Sequence, residues 1–142
     1  MSGKSAFYPF ELVVSGTPIS LQAKGKSLET WKQHVKATAR RKFTETNEIG
    51  YLEDQPVAVT IYYFPLYPMV GDIDNIVKPI MDSLTTFAYL DDKAVERVLV
   101  QTIGPDFEVV FTQPSEQLVR AMDTEKPVVY VCVEDDQSWR VI

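Results

Sequence analysis

The chain reads as α/β, or α+β: a single domain in which a mixed β-sheet has helices packed against it. Three observations predict this class. Strand-length runs of β-branched and aromatic residues interleave with stretches of helical apolar spacing, and prolines and glycines mark the boundaries between them. Apolar residues make up 45 % of the chain against 24 % charged, which suits a packed core and is too apolar for a disordered segment. At 142 residues the chain has room for one domain, taken as 1–142.

The elements follow in order. Phe7 to Val14 alternates imperfectly and stops at SGTP, a strand closed by a turn signal. Leu28, Trp31, Val35 and Ala39 then recur at helical spacing, predicting an amphipathic helix over about Ser27 to Phe43 with Ser27 as its cap. VAVTIYYFP, Val57 to Pro65, is the clearest strand, and YPMVGD after it is loop. From Asn75 to Phe87, Ile76, Val77, Ile80, Met81 and Leu84 predict a helix with Asp74 as N-cap. Pro79 requires either a short first turn that bends there or a regular helix starting near Lys78. Val95 to Ile103 and Phe107 to Thr112 read as a hairpin across GPD. Pro114 to Met122 reads as a short helix with proline in its first turn, and Pro127 to Glu134 as a last strand.

Cys132 lies in the apolar run PVVYVCVE, where a lone cysteine behaves as a small core hydrophobe and fits a reducing cytoplasm. The opening MSGKSAFYPFELVV lacks the apolar stretch of a signal peptide, and no apolar run reaches membrane-spanning length. The expectation is a soluble, cytoplasmic protein with no membrane partner. Trp31, Trp139 and the tyrosines are expected in the core or an interface, without the aromatic interleaving of a single-strand stacking platform.

The net charge of −6 alone argues against nucleic acid, but the charges are sorted. Residues 1 to 42 carry eight Lys or Arg against two Glu, while residues 43 to 142 carry six against eighteen acids. Such a chain can present a basic face to phosphates and an acidic face to a metal ion or a basic partner. Lys24, Lys26, Lys32, Lys36, Arg40, Arg41 and Lys42 form the candidate phosphate-contact stripe, whose alternative is a solvated helix face.

The acids concentrate in VGDIDNIVKPIMDSL and LDDKAV. Asp72 and Asp74, two apart, project to one side of an extended chain, and their mutual repulsion is relieved by a divalent cation. Oxygen ligands with a single histidine, His34, in the whole chain point to Mg²⁺, or Mn²⁺ in its place, and away from a zinc cluster. On a continuous helix Asp74, Lys78 and Asp82 would share one face, with Lys78 placed to steady a phosphate. Of Asp91 and Asp92, the second is expected to turn toward Asp72 and Asp74 while the first meets solvent, backbone or Lys93. Asn75 is expected to hold the loop through side-chain hydrogen bonds.

The order of these residues, DIDNIVKPIMDSL followed by YLDD and an apolar strand, resembles the signature of the RusA family of endodeoxyribonucleases, small phage-type Holliday junction resolvases. The resemblance covers about Gly71 to Val95, with weaker agreement in the strand before it and in the N-terminal strand-to-helix region. It implies a RusA-like fold and Asp72, Asp74 and Asp92 as metal-binding catalytic carboxylates. It also implies a role for Lys78 in cleavage, with Asn75, Asp82 and Asp91 in support. The implied partners are branched DNA, above all four-way junctions, and a second copy of the chain, in a prokaryotic or phage setting. The implied reaction is paired phosphodiester hydrolysis in opposing strands. Members of the family are usually basic, whereas TPISLQAKGKS here carries only Lys24 and Lys26 and the whole chain is acidic. Two other readings stand beside this one: a nuclease of the same fold acting on other branched DNA, and a non-catalytic DNA-binding or interaction module that retains its metal site.

Overall fold

A computed structural model of the protein describes residues 8–19, 25–46, 55–69 and 71–135. Its strands are β1 (Phe10–Ser15), β2 (Val57–Phe64), β3 (Val95–Thr102) and β4 (Val128–Glu134), and its helices α1 (Lys26–Thr46), α2 (Val77–Leu84) and α3 (Glu116–Asp123). Period-two alternation sorts the strand side chains onto two faces. Phe10, Leu12 and Val14 of β1, Val59, Ile61 and Tyr63 of β2 and Val129, Val131 and Val133 of β4 enter one core with Trp31, Val35 and Ala39 of α1 and Ile80 and Leu84 of α2. Phe64, Tyr130 and Cys132 point to the opposite face, where Leu118 and Ala121 of α3 cover them. The β4 run is apolar at every position from Val128 to Val133 because both of its faces are covered. Burial raises the Cys132 thiol to about 12, so it stays protonated as a core hydrophobe.

The sheet order is β1-β4-β2-β3, with β4 antiparallel to both neighbours and β2 parallel to β3. The last strand in sequence thus lies near the middle of a mixed sheet, and the expected architecture of one domain with a mixed sheet and three helices holds. Among the described residues no helix is long and apolar enough to cross a membrane.

Three local expectations need correction. The hairpin from Val95 to Thr112 does not form: β3 ends at Thr102 and pairs with β2, while residues 107–112 are irregular and without a ladder partner among the described residues. Alternating apolar residues signalled a strand, but pairing is set by which edges packing brings together, and β3 pairs in parallel with β2. Pro114 precedes α3 rather than occupying its first turn, and Ser115 caps the helix by accepting the Leu118 N–H at 3.1 Å. Ser27 lies inside α1, which starts one residue earlier, after Gly25. Trp31 is buried as expected, whereas Trp139 lies outside the described residues.

Candidate active site

The acids sit where a loop, a turn and a helix succeed one another. Gly71 adopts φ +101°, the left-handed region open to glycine, and the chain then enters a 3₁₀ turn over Ile73–Ile76 before α2 begins. Pro79 is the third residue of α2, where its missing N–H costs no helical hydrogen bond, so the regular helix starts close to Lys78. Asp74 is inside the 3₁₀ turn and is not an N-cap; Asp72 holds that position without a side-chain capping bond. A 3₁₀ turn has about three residues per turn instead of 3.6. The continuous-helix spacing from Asp74 to Lys78 is therefore lost, and among the described residues Asp74 makes no ion pair. Asn75 donates its backbone N–H to the Asp72 carbonyl at 3.2 Å, while its side chain makes no hydrogen bond among the described residues.

Lys78 organises the rest. Its Nζ lies 2.9 Å from Asp82 and 3.3 Å from Asp92, and hydrogen bonds and charge from Asp82 first, then Asp92, raise its pKa above the ordinary lysine value. It stays a cation. Asp92 comes back to Lys78 because the chain turns between α2 and β3: Tyr89 donates its hydroxyl to the Met81 carbonyl at 2.9 Å, and the Tyr8 hydroxyl donates to the Ala88 carbonyl at 2.7 Å. Burial leads the causes that hold the Tyr89 phenol protonated. The Thr85 hydroxyl donates to the other Asp92 oxygen at 2.9 Å, and Asp91 accepts the Lys93 N–H at 2.9 Å, heading a 3₁₀ turn over Asp92–Ala94. Adjacent acids thus face different partners.

The basic helix lies beside this cluster. Ser83 is buried, donates to the Pro79 carbonyl at 2.8 Å and sits 3.2 Å from the Lys32 carbonyl, which docks α2 on α1. Lys32 Nζ stands 4.0 Å from Asp82, and the Arg40 guanidinium lies 5.6 Å from the centre of the Phe87 ring. Lys36 falls between them at four-residue spacing on α1, so Lys32, Lys36 and Arg40 form a track whose Lys32 end is the one beside Asp82. Arg41 and Lys42 instead line a groove of about 440 Å³ with Arg120 of α3, beside the edge of β1. The expected single stripe is therefore two. Lys26 is the first residue of α1, and Lys24 lies outside the described residues.

Asp72, Asp74 and Asp92 offer only oxygen donors, the chemistry of a hard divalent cation. Among the described residues, however, no three His, Cys, Asp or Glu side chains converge into a preformed metal cluster. No such cluster of Asp72, Asp74 and Asp92 is preformed among the described residues; Asp92 meets Lys78 and Thr85. Reading the sequence missed Thr85 and the apposition of Lys32 to Asp82. The first depends on the turn after α2 and the second on helix docking, and neither has a local signal.

Fold and site together define a small α/β protein with an acidic 3₁₀ turn and a lysine–carboxylate cluster. Residues 15–111 match the family model described as Endodeoxyribonuclease RusA, and the chain belongs to the RusA family. The match runs from the end of β1 to the irregular segment after β3 and leaves α3 and β4 beyond it. A nuclease-type, DNA-directed role follows from the family in general terms. No curated protein matches the chain significantly.

Proposed function

We propose that the protein is a metal-dependent, structure-selective endodeoxyribonuclease that resolves four-way junctions as a homodimer, hydrolysing one phosphodiester in each of two opposing strands. The observation that carries this reading is the placement of Lys78 between Asp82 and Asp92, one helical turn beyond the acids of the 3₁₀ turn. Asp72, Asp74 and Asp92 would hold Mg²⁺, or Mn²⁺ in its place. Such an ion supplies charge neutralisation and an acidified water for attack on phosphorus. Lys78 stabilises negative charge on the phosphoryl oxygens, and Asp82 fixes its ammonium in place. Thr85 orients Asp92, and the Lys32, Lys36 and Arg40 track holds flanking phosphates without reading sequence.

Paired cuts require two sites. The outer edge of β3 supports a seat for the second copy: β3 has a ladder partner on one side only among the described residues, and Val98 and Leu99 on it are exposed, as is Val110 nearby in sequence.

The test is strand cleavage of a synthetic four-way junction beside linear duplex and flap DNA, with Mg²⁺, Mn²⁺ or EDTA. Symmetric, metal-dependent nicks in the junction, absent with Asp74→Asn and reduced roughly 10²–10³-fold with Lys78→Met, are the expected result. Preferred cutting of flaps or forks would move the activity to other branched DNA. That no three acids converge among the described residues favours a non-catalytic binding module as the second reading. Junction binding without any product, from wild-type protein at saturating metal, would select it.

A further inference from the structure

Two cavities share the lining residues Pro68, Met69, Gly71 and Asp72. One, of about 570 Å³, is lined by Asp72 together with Tyr63, Tyr67 and Met69; the other, of about 550 Å³, by Asp72 and Asp74 together with Met69, Thr102 and Phe107. Tyr67 and Phe107 are the most solvent-exposed aromatic rings among the described residues, at 75 % and 74 %, and each lines one of the two cavities that share Asp72. A tight turn in which the Phe107 N–H donates to the Gly104 carbonyl at 3.2 Å sets the second ring in place. Such rings in water gain nothing for the fold.

The linings also carry a charge argument. Among the described lining residues neither cavity has a Lys, Arg or His, whereas Asp72 is in both. Neither lining offers a phosphate a cation of its own, and their aromatic and apolar side chains suit the uncharged, flat part of a nucleotide. The cations lie elsewhere, at Lys78 and along α1.

We propose that these two cavities seat the nucleobases on either side of the cleaved phosphate, with Tyr67 and Phe107 as their stacking faces. This rests on the nuclease reading and makes it more specific. Bases inside a continuous duplex have their faces covered by neighbouring pairs, while bases at a branch point can leave the stack and offer a π-face to a side chain. The two rings thus select DNA in which the stack is interrupted at the cut, independently of sequence.

The experiment places 2-aminopurine at the crossover of a four-way junction and follows its emission while end-label anisotropy reports binding, with EDTA present so that no strand is cut. The expected result is a change in 2-aminopurine emission on binding that is lost in Tyr67→Ala and Phe107→Ala and kept in Tyr67→Phe. Each alanine variant should bind the junction about ten-fold more weakly while duplex affinity stays within about two-fold. Unaltered thermal melting is the control that the variants fold. Wild-type emission changes and junction affinity in both alanine variants would overturn the proposal. An altered sedimentation of the DNA-free variants, with the 2-aminopurine response intact, would also overturn it and assign the rings to contact with a second copy. A wild-type protein that cuts junctions without perturbing 2-aminopurine loses this inference alone; one that binds no branched DNA loses the nuclease reading with it.

Discussion

Thr85 is a small side chain whose hydroxyl donates to one oxygen of Asp92 while Lys78 takes the other. Replacing it by valine keeps the shape and removes the donor, leaving Asp92 free to rotate about its remaining partner. Groups that orient a metal ligand are commonly worth 10–100-fold in activity or metal affinity. We therefore expect Thr85→Val to cut single-turnover cleavage by roughly 10–100-fold with the thermal midpoint nearly unchanged, and Thr85→Ser to restore most of the rate. Loss of rate in both variants would attribute the defect to packing. The sequence order of the acids and Lys78 pointed to the family, and the different partners of Asp91 and Asp92 follow from a 3₁₀ turn that Asp91 heads and Asp92 begins, which the extended-chain expectation did not contain. Thr85 was not legible, because its partner lies seven residues on and meets it only after Tyr89 and Tyr8 fasten the turn.

At the scale of elements, the strands and helices that bury a whole apolar face were readable, and the failures fall where two local solutions compete. Residues 107–112 carry a strand pattern yet remain unpaired among the described residues, since an alternating pattern makes a ladder only where tertiary packing brings a partner edge into register, and β3 is laid down against β2. The mixed sheet was expected from the element order, but its strand order rests on tertiary pairing that no local pattern encodes. α3 shows how a short helix is held where propensity is weak. At its start Ser115 caps the Leu118 N–H and donates to Glu11, which also accepts the Tyr130 hydroxyl. At its end Lys126 donates to the carbonyls of Ala121, Met122 and Thr124, its amine lowered in pKa by burial. Ser115→Ala should cost roughly 0.5–2 kcal/mol in urea unfolding. Hydrogen exchange should rise over residues 116–123 first, with the α1–α2 face unaffected; uniform loosening of both faces would show that α3 is not a separable unit.

Across the whole molecule, the segregation of charge along the sequence becomes a juxtaposition in space. The basic α1 and the acidic segment around α2 do not occupy opposite poles, because Ser83 and the Lys32–Asp82 approach place them side by side. An acidic protein can then meet DNA through a local track, since phosphates respond to the charges within about a Debye length, roughly 8–10 Å, more than to the net charge. The Lys32, Lys36 and Arg40 track should behave as a set of phosphate contacts, each contributing about 0.9 to the slope of log affinity against log salt. Changing all three to glutamine should therefore lower that slope by roughly 2–3 and weaken junction and duplex binding alike, without moving the cleavage positions. Lys32 also neighbours Asp82, so Lys36→Gln/Arg40→Gln is the cleaner pair, expected to reduce the slope by about 2 with Lys78 undisturbed. An unchanged slope in the pair, with Arg41→Gln/Arg120→Gln lowering it instead, would transfer the DNA path to the groove between α1 and α3.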